Sequence, residues 1–364
     1  MKSNDLNLLV AAGGTGGHLF PAMAVVEELK SKLGDRFKAV FVGNEGRIEG
    51  RAVPNAGYEF YNIPIRGINS KFSLSNLTLP YKILKSMSIC SAIIKQHNIN
   101  AVLCTGAYIS YPAGVTASMK NLPLFLMESN VFPGKTIRAL SSKSRLVITS
   151  FAESEEYLAK GKSTEIVNLG NPVRSNLLNL PSQADGRRNF GLAADKKTIL
   201  VFGGSLGAKS INQAIEKYIK KSSNENIQIL WQTGLNFETD LKENSNLKIL
   251  KFIDDMASAY AAADIVISRS GATTMAELAV TQKPAILVPY PKAANNHQEF
   301  NADIFERLGA GLKIRDIQLW DKIEFVVPEL LNDEKKIVEM KEILNKISKP
   351  DAAKEASEKF LECL

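Results

Sequence analysis

A glycine-rich turn that ends in a histidine is the first stretch of the chain that could do chemistry. Gly13-Gly14-Thr15-Gly16-Gly17-His18 follows the apolar run of residues 6–12 and precedes a segment with helical spacing, with Pro21 near its start. Glycines let the backbone bend sharply and bring N–H groups close to a ligand, and a helix N-terminus attracts phosphate. The turn therefore predicts a phosphate cradle with a titratable side chain, His18, at its rim.

Two familiar phosphate motifs do not fit this turn. The dinucleotide fingerprint G-x-G-x-x-G fails because His18 stands in place of its last glycine. The next predicted strand ends in Gly43-Asn44, without an acidic residue for a ribose, and the turn lacks the Gly-Lys-Ser/Thr of a P-loop. A turn that only packs a helix on a strand would explain the glycines but not the histidine, so we favour a functional turn.

Two stretches in the second half could bind a nucleotide. Residues 203–208 form a second glycine loop, in which Ser205 and backbone N–H groups at a helix start suit a diphosphate. Residues 268–279 follow a buried strand, and Glu277 lies where a carboxylate could accept hydrogen bonds from two ribose hydroxyls. A solvated helical glutamate is the alternative. Gln298, an uncharged amide that both donates and accepts, suits sugar hydroxyls.

Short apolar runs separated by helix-length segments must position these residues, and such a pattern is typical of parallel sheets buried on both faces. In the first half the predicted strands are residues 6–12, 39–43, 101–106, 124–128, 146–150 and 166–170. A polar stretch around residues 181–186 is interpreted as a linker. The pattern then restarts, with predicted strands at residues 197–202, 228–231, 247–252, 265–268 and 285–289.

The chain is predicted to form two α/β, doubly wound domains, because its 364 residues exceed the size of a usual single core. We place them at residues 1–172 and 173–348, with a final helix of about residues 349–364 joining the first. Ligands bind such domains at the carboxyl ends of their strands. If the domains face each other, both glycine loops open onto one cleft, which favours an enzyme with two substrates.

The composition indicates in which cellular compartment the protein is expected. The three cysteines, Cys90, Cys104 and Cys363, are widely separated and suit neither a disulfide framework nor a metal site, so a reducing cytoplasm is expected. The N-terminus has no signal-peptide pattern, and no run approaches the roughly 20 apolar residues of a membrane-spanning helix. A soluble or peripheral protein is predicted.

The net charge of +7 lies entirely in the first half, since residues 1–172 hold 19 Lys+Arg and 12 Asp+Glu while residues 173–364 hold 26 of each. The first half has no Lys/Arg run and little aromatic interleaving, so we expect no nucleic-acid partner. Residues 66–94 instead mix lysines with apolar side chains, including Lys71-Phe72, Leu74, Leu77 and residues 79–85. This mixture suits an anionic membrane surface, and an ordinary helix with its apolar face in the core is the alternative.

In order along nearly the whole chain, these motifs resemble those of the GT-B glycosyltransferases, and specifically the MurG family. The matching stretches are residues 13–18, Thr105-Gly106-Ala107-Tyr108 with Pro112-Ala113-Gly114, Glu128-Ser129-Asn130 with Pro133-Gly134, and residues 170–174, 203–208, 252–256, 268–277 and 297–302. The resemblance implies two Rossmann-like domains facing across a cleft. It also implies transfer of N-acetylglucosamine from UDP-N-acetylglucosamine to undecaprenyl-diphosphate-linked muramyl-pentapeptide, the step that completes the lipid-linked peptidoglycan precursor.

The resemblance implies a role for each matching position. In the first half, Thr15, Gly16 and Gly17 would line the reaction centre, and Asn130 would contact the donor sugar. In the second half the implied donor contacts are Arg174 and Ser205 on the diphosphate, Ile253 on the uracil through its backbone, Ala272, Thr273, Thr274 and Glu277 on phosphate and ribose, and Gln298 on the N-acetylglucosamine hydroxyls.

The implied reaction is an inverting displacement, in which the acceptor's 4-hydroxyl attacks the anomeric carbon while UDP leaves. His18 is the first candidate for the base because histidine titrates near neutrality, and Glu128, which would need a raised pKa, is the second. The chain departs from the family here, since Met127 and Ser129 replace a histidine and a glutamine and Ala107 replaces a glycine. Met127 and Ser129 are therefore not given a catalytic role.

No metal and no cofactor is expected. The Asp-x-Asp motif of metal-dependent glycosyltransferases is missing from the sequence, and the adjacent Asp254-Asp255 suit a helix start. Charge on the leaving diphosphate would then be stabilised by the second glycine loop with Ser205 and by Arg174. The first glycine loop is expected to face the acceptor's diphosphate and the transferred sugar.

The expected setting is peripheral, at the cytoplasmic face of the cell membrane, with the donor, the lipid-linked acceptor and an anionic membrane surface as partners. Three other functions stay open on the sequence. A UDP-N-acetylglucosamine 2-epimerase would need no acceptor, a related transferase would use a different lipid, and a UDP-sugar-binding protein would transfer nothing.

Overall fold

The computed structural model describes residues 5–67, 78–204, 206–221 and 226–364, and the chain divides into two compact units. Unit 1 comprises Met1–Val173 together with Pro350–Leu364, and unit 2 is Arg174–Lys349. The sequence places the division after residue 172 and the return of the chain near residue 349.

Unit 1 is built on a parallel sheet of seven strands in the order β3-β2-β1-β4-β5-β6-β7. The strands are β1 Leu6–Ala11, β2 Phe37–Gly43, β3 Glu59–Asn62, β4 Ala101–Cys104, β5 Leu124–Glu128, β6 Leu146–Thr149 and β7 Glu165–Asn168. Its helices up to this point are α1 Gly16–Leu33, α2 Glu49–Asn55, α3 Leu79–Gln96, α4 Ser110–Met119 and α5 Lys135–Leu140. The central strand β1 is buried between β2 and β4, with Leu8 opposite Ala39 and Ala101. Strand order reverses at β1 and β4, which is where such sheets bind ligands.

Unit 2 repeats this plan with a parallel sheet of six strands in the order β10-β9-β8-β11-β12-β13. The strands are β8 Lys197–Phe202, β9 Ile227–Gln232, β10 Leu247–Leu250, β11 Ile265–Ser268, β12 Ala285–Leu287 and β13 Leu312–Lys313. The helices are α6 Gln183–Asn189, α7 Lys209–Lys221, α8 Met256–Ala262, α9 Ala272–Val280, α10 His297–Leu308, α11 Asp316–Asn332 and α12 Glu334–Ile347.

The last helix, α13 (Ala352–Glu362), returns to unit 1 and packs against α1. Its Phe360 is fully buried and stacks on Phe125 of β5 with ring centroids 3.7 Å apart. Lys359 forms an ion pair with Glu165 of β7 at 2.7 Å. The helix therefore completes the core of unit 1 from the far end of the chain.

Two parallel α/β units confirm the predicted fold class, and α13 confirms the final helix predicted at about residues 349–364. The short edge strands β3 and β13 escaped prediction, because neither carries a continuous apolar run. The predicted linker around residues 181–186 is wrong, since α6 begins there. Ser182 caps that helix by accepting a hydrogen bond from the Asp185 N–H, and Gly186 lies so close to the α8 backbone that a β-carbon there would lie 2.7 Å from the Ser258 carbonyl oxygen. Across the described ranges, every helix is too short or too polar to span a bilayer.

Candidate functional site

The first glycine loop occupies the carboxyl end of β1, at the point where strand order reverses. Gly14 adopts a positive φ of 81°, and α1 starts at Gly16, so Gly16, Gly17 and His18 form its first turn. The expectation that the helix starts near Pro21 is wrong by about five residues. The predicted helix N-terminus and its N–H groups therefore lie within the glycine motif itself.

A buried carboxylate lies beneath this loop. Glu49 of α2 is fully buried and accepts hydrogen bonds from the backbone N–H groups of Gly14 at 2.9 Å and Asn44 at 3.1 Å. A β-carbon at Gly13 would lie only 2.4 Å from the Glu49 carboxyl carbon, so only glycine fits there. Sequence reasoning missed Glu49, because nothing in a helix-starting glutamate signals burial. The Gly14 N–H is thus already engaged and is not part of a phosphate cradle.

His18 lies at the rim of the loop, half-buried. Its Nδ1 is 3.5 Å from the Thr15 hydroxyl, and its Nε2 lies beside Gly106 in the loop after β4, where a β-carbon would be 3.5 Å away. The buried hydroxyl of Thr105 has no hydrogen-bond partner among the described residues. A buried polar atom of this kind is usually satisfied by a ligand or water. The structure thus brings Thr15 and His18 together with the predicted Thr105-Gly106 motif.

Glu128 ends β5 and holds the loop that follows it. Its carboxylate accepts hydrogen bonds from the N–H groups of Asn130 and Gly134, both at 2.8 Å, and from the Asn130 side-chain amide at 3.1 Å. Burial raises the pKa of Glu128, while these hydrogen bonds oppose the rise. The carboxylate orders the loop that carries Asn130, and protonating it would weaken three bonds at once.

In unit 2, Glu277 lies at the centre of a small polar cluster rather than in solvent. One carboxylate oxygen accepts a hydrogen bond from Arg174 at 3.0 Å, and the other accepts one from the Tyr260 hydroxyl at 2.9 Å. Glu277 is 5% exposed, and burial raises the pKa of Tyr260 well above its usual range, with the Glu277 charge adding to the rise. Tyr260 was missed, because it lies in an alanine-rich run that looks like core. Each carboxylate oxygen keeps a lone pair for a ribose hydroxyl.

The second glycine loop is fixed by a hydrogen bond from Gln232, the last residue of β9. Gly204 and Gly207 have φ values of 91° and 77°, and the Gln232 side chain donates to the Gly204 carbonyl at 3.0 Å. The same Gln232 accepts a hydrogen bond from the Ile253 N–H at 2.8 Å. The Ile253 N–H is therefore already engaged within unit 2. Ser205 lies outside the described residues.

The N-terminus of α9 meets the N-terminus of α10. The Gln298 side-chain nitrogen lies 4.0 Å from the β position of Gly271, the residue that caps α9. The Ser270 hydroxyl donates a hydrogen bond to the backbone carbonyl of Gln298 at 2.8 Å. Gln298 also accepts a hydrogen bond from the Tyr290 N–H at 2.9 Å. The Thr273 hydroxyl is buried without a partner among the described residues, while Thr274 lies half-buried one position on. The predicted set at residues 272–274 and Gln298 is thus gathered in one place.

Asp255 caps α8 by accepting a hydrogen bond from the Ser258 N–H at 3.0 Å, and its pKa is lowered mainly by hydrogen bonds from Ser258. The predicted helix start at Asp254-Asp255 is confirmed. The described residues contain no cluster of three or more His, Cys, Asp or Glu side chains that could hold a metal ion.

An exposed apolar patch lies on the surface of unit 1. Tyr81 and Leu84, in the first turns of α3, are 65% and 66% exposed. Lysines but no acidic residues lie on α3. The rest of the predicted membrane segment, residues 68–77, lies outside the described residues.

Comparison with known proteins gives matches along almost the whole chain. The family model described as the glycosyltransferase family 28 N-terminal domain matches residues 8–149, and the model of the corresponding C-terminal domain matches residues 198–356. A relative from Flavobacterium psychrophilum is 37% identical, with 97% of this chain and 96% of the relative covered. A relative from Bacteroides thetaiotaomicron is 35% identical, with 96% and 95% covered. Both are named UDP-N-acetylglucosamine–N-acetylmuramyl-(pentapeptide) pyrophosphoryl-undecaprenol N-acetylglucosamine transferase.

Solved structures agree with this. The crystal structure of MurG from Acinetobacter baumannii superposes with a TM-score of 0.75 at 27% identity, covering 98% of this chain and 99% of that one. A UDP-N-acetylglucosamine 2-epimerase from Neisseria meningitidis, bound to UDP-N-acetylglucosamine, gives a TM-score of 0.66 at 14% identity, covering 98% of this chain and 100% of that one. The second likeness shows the shared fold alone.

Proposed function

Since the chain belongs to the MurG family within glycosyltransferase family 28, we infer that it transfers N-acetylglucosamine from UDP-N-acetylglucosamine to undecaprenyl-diphosphate-linked N-acetylmuramyl-pentapeptide. The observation that carries this function is the match to relatives of that activity over 97% of the chain at 37% identity. The enzyme thereby takes part in peptidoglycan biosynthesis as a UDP-N-acetylglucosamine-dependent glycosyltransferase.

For the donor, the proposal assigns unit 2. Glu277, oriented by Arg174 and Tyr260, would accept hydrogen bonds from the ribose hydroxyls. Arg174 is 41% exposed at its side chain, so its guanidinium has room to contact a diphosphate while it donates to Glu277. The Ile253 carbonyl would accept the uracil N–H, and the residue 272–274 turn with Gln298 would hold phosphate and sugar.

For the chemistry, the proposal assigns His18 as the base of an inverting displacement. With its Nδ1 proton directed to the Thr15 hydroxyl, Nε2 would take the proton of the acceptor's 4-hydroxyl as that oxygen bonds to the anomeric carbon. The bond from the anomeric carbon to the diphosphate breaks, and UDP leaves with its charge stabilised by Arg174 and the N–H groups of the second glycine loop. Glu128, already bonded to three donors of its own loop, is the weaker candidate.

The proposal also places the enzyme on the cytoplasmic face of the membrane, as a peripheral protein with an anionic lipid surface and no nucleic acid as partner. Exposed Tyr81 and Leu84 among the lysines of α3 support this. Flotation with vesicles tests it: binding should need anionic lipid and weaken when Tyr81 and Leu84 are both replaced by serine. Failure of the wild-type protein to float with any vesicle would contradict this part of the proposal.

Label transfer tests the function itself. The protein is incubated with labelled UDP-N-acetylglucosamine, with and without the lipid-linked muramyl acceptor. We expect label on the lipid only when the acceptor is present. Turnover of the donor without acceptor would indicate an epimerase, and binding of UDP without any transfer would indicate a UDP-sugar-binding protein.

A further inference from the structure

A polar pocket lies in unit 1, beside the first glycine loop, and the roles assigned above give it no ligand. It encloses about 910 Å³ at the carboxyl ends of β2 and β3, and three of its lining side chains are cations, Arg47, Arg66 and Lys82. Glu45 is the acidic residue in its lining, and the rest is Asn44, Gly46, Asn62, Ile63, Pro64 and Tyr108. Its size is within the usual range for small-molecule sites.

The three cations are not neutralised by ion pairs among the described residues, although Glu45 shares their lining. Within residues 5–67 and the other described ranges, neither Arg47, Arg66 nor Lys82 forms an ion pair. The Tyr108 hydroxyl donates a hydrogen bond to Asn44 Oδ1 at 2.8 Å, and both residues share the lining with Arg47. Asn44 itself is fixed by donating to the carbonyls of Ile63 and Ile65, at 2.8 and 2.9 Å. Asn44 and Tyr108 therefore form a fixed part of the pocket wall before any ligand binds.

The first glycine loop is a poor alternative for an anion. Its Gly14 N–H is engaged by the buried Glu49 carboxylate, whose negative charge would oppose a phosphate placed against the loop. Tyr108 links the two places, since its ring lies about 3.8 Å from the β position of Gly14 while its hydroxyl bonds to Asn44 in the pocket lining. The cations thus lie one side chain away from the loop that carries His18.

Lys82 also connects the pocket with the exposed apolar patch. It lies on α3 between Tyr81 and Leu84, the two residues that the proposed function directs toward the lipid surface. In a lipid-linked acceptor the diphosphate is joined directly to the lipid, so it must lie next to whatever surface meets the membrane. Arginine guanidinium groups bind phosphate oxygens in bidentate fashion, and a lysine adds a point charge.

We propose that Arg47, Arg66 and Lys82 bind the diphosphate of the lipid-linked acceptor. This inference rests on the proposed function and reassigns the acceptor's diphosphate from the first glycine loop to the neighbouring pocket. The sugar beyond the diphosphate would then extend past Tyr108 toward His18.

The test uses the full-length enzyme and a short-chain, water-soluble prenyl-diphosphate muramyl-pentapeptide in the absence of vesicles, so that phospholipid headgroups play no part. Arg66→Gln and Lys82→Gln should each raise the acceptor KM about tenfold, while kcat at saturating acceptor and the donor KM change less than about twofold. Lys85→Gln is the matched control, since Lys85 lies on α3 outside the pocket lining. Unchanged melting temperatures would show that the variants fold.

A second acceptor, with one phosphate in place of the diphosphate, identifies the group that is bound. The tenfold effect of Arg66→Gln should shrink to about threefold or less with this acceptor, because the variant and the altered acceptor remove the same interaction. An equal loss with both acceptors would overturn the proposal and direct attention to the peptide carboxylates. No effect of either variant on the acceptor KM would also overturn it. If the wild-type enzyme transfers no label at all, the proposed function itself has failed.

Discussion

At the scale of single residues, each unit contains buried carboxylates that fix neighbouring groups by accepting hydrogen bonds. Glu49, Glu128 and Glu277 are at most 5% exposed, and each accepts hydrogen bonds near the carboxyl end of a sheet. Glu49 and Glu128 bond to backbone N–H groups of loops, and Glu128 also to the Asn130 side chain, whereas Glu277 bonds only to the side chains of Arg174 and Tyr260. The first two therefore shape loops, while Glu277 orients side chains.

Replacing His18 by alanine tests its role as the base. We expect kcat to fall about 100-fold or more, the usual contribution of a positioned acid or base, while the Kd for UDP stays within about twofold. His97→Gln is the control, since its ring bonds to the Tyr61 hydroxyl at 2.9 Å, outside the catalytic set. Steady-state kinetics and titration calorimetry provide the two readouts. An equal loss of turnover and UDP binding would assign His18 to binding or structure.

Tyr260→Phe tests whether Glu277 depends on its tyrosine partner. The change removes one hydrogen bond of about 1 kcal/mol, so the Kd for UDP should rise about fivefold. The rise should be smaller for 2′-deoxy-UDP, which lacks one of the hydroxyls that Glu277 would accept. Tyr157→Phe, in unit 1, is the control. An equal rise for both nucleotides would contradict a ribose-directed role.

At the scale of elements, the strand–loop–helix units could be predicted, but the contents of their loops could not. Apolar runs revealed β1, β8 and β11, because strands buried on both faces must be apolar. The sequence could not reveal that Glu49 fills the space under the first glycine loop, since that contact joins β1 to a helix 35 residues later. The roles of Arg47 and Arg66 were hidden for the same reason: charged residues in loops look alike until the fold brings them together.

Gly13→Ala tests the fit between this loop and α2. The new β-carbon would meet the Glu49 carboxyl group at 2.4 Å, so we expect unit 1 to lose about 1–3 kcal/mol of stability, the usual cost of overpacking. Gly46→Ala is the matched control, because its β position meets open space. Denaturant unfolding followed by circular dichroism measures both. Equal stabilities of the two variants would show that the loop and Glu49 can move to accommodate the β-carbon at no cost in stability.

At the scale of the whole molecule, unit 1 is discontinuous in sequence, while unit 2 is a single segment. The returning helix α13 contributes Ala356 and Phe360 to the same core as β1 and α1. Each unit has its own sheet and core, so unfolding need not be two-state. Changes in α13 should therefore act on unit 1 alone.

Phe360→Ala tests whether a change in α13 destabilises unit 1 alone. Loss of a fully buried phenylalanine should lower the stability of unit 1 by about 3–5 kcal/mol and leave that of unit 2 unchanged. Phe325→Ala is the control, since Phe325 is 71% exposed in unit 2. Hydrogen exchange, which resolves the two units peptide by peptide, provides the measurement. Equal loss of protection in both units would contradict their independence.

Because α13 follows unit 2 in the sequence, the core of unit 1 is completed only after unit 2 has been synthesised. A ribosome must make the 176 residues of unit 2 after it finishes Val173 and before it reaches Pro350. At about 5–20 residues per second, this takes roughly 10–35 s, during which the groove for Phe360 beside Phe125 stays uncovered. The nascent first unit therefore leaves an apolar groove uncovered until the ribosome has made α13.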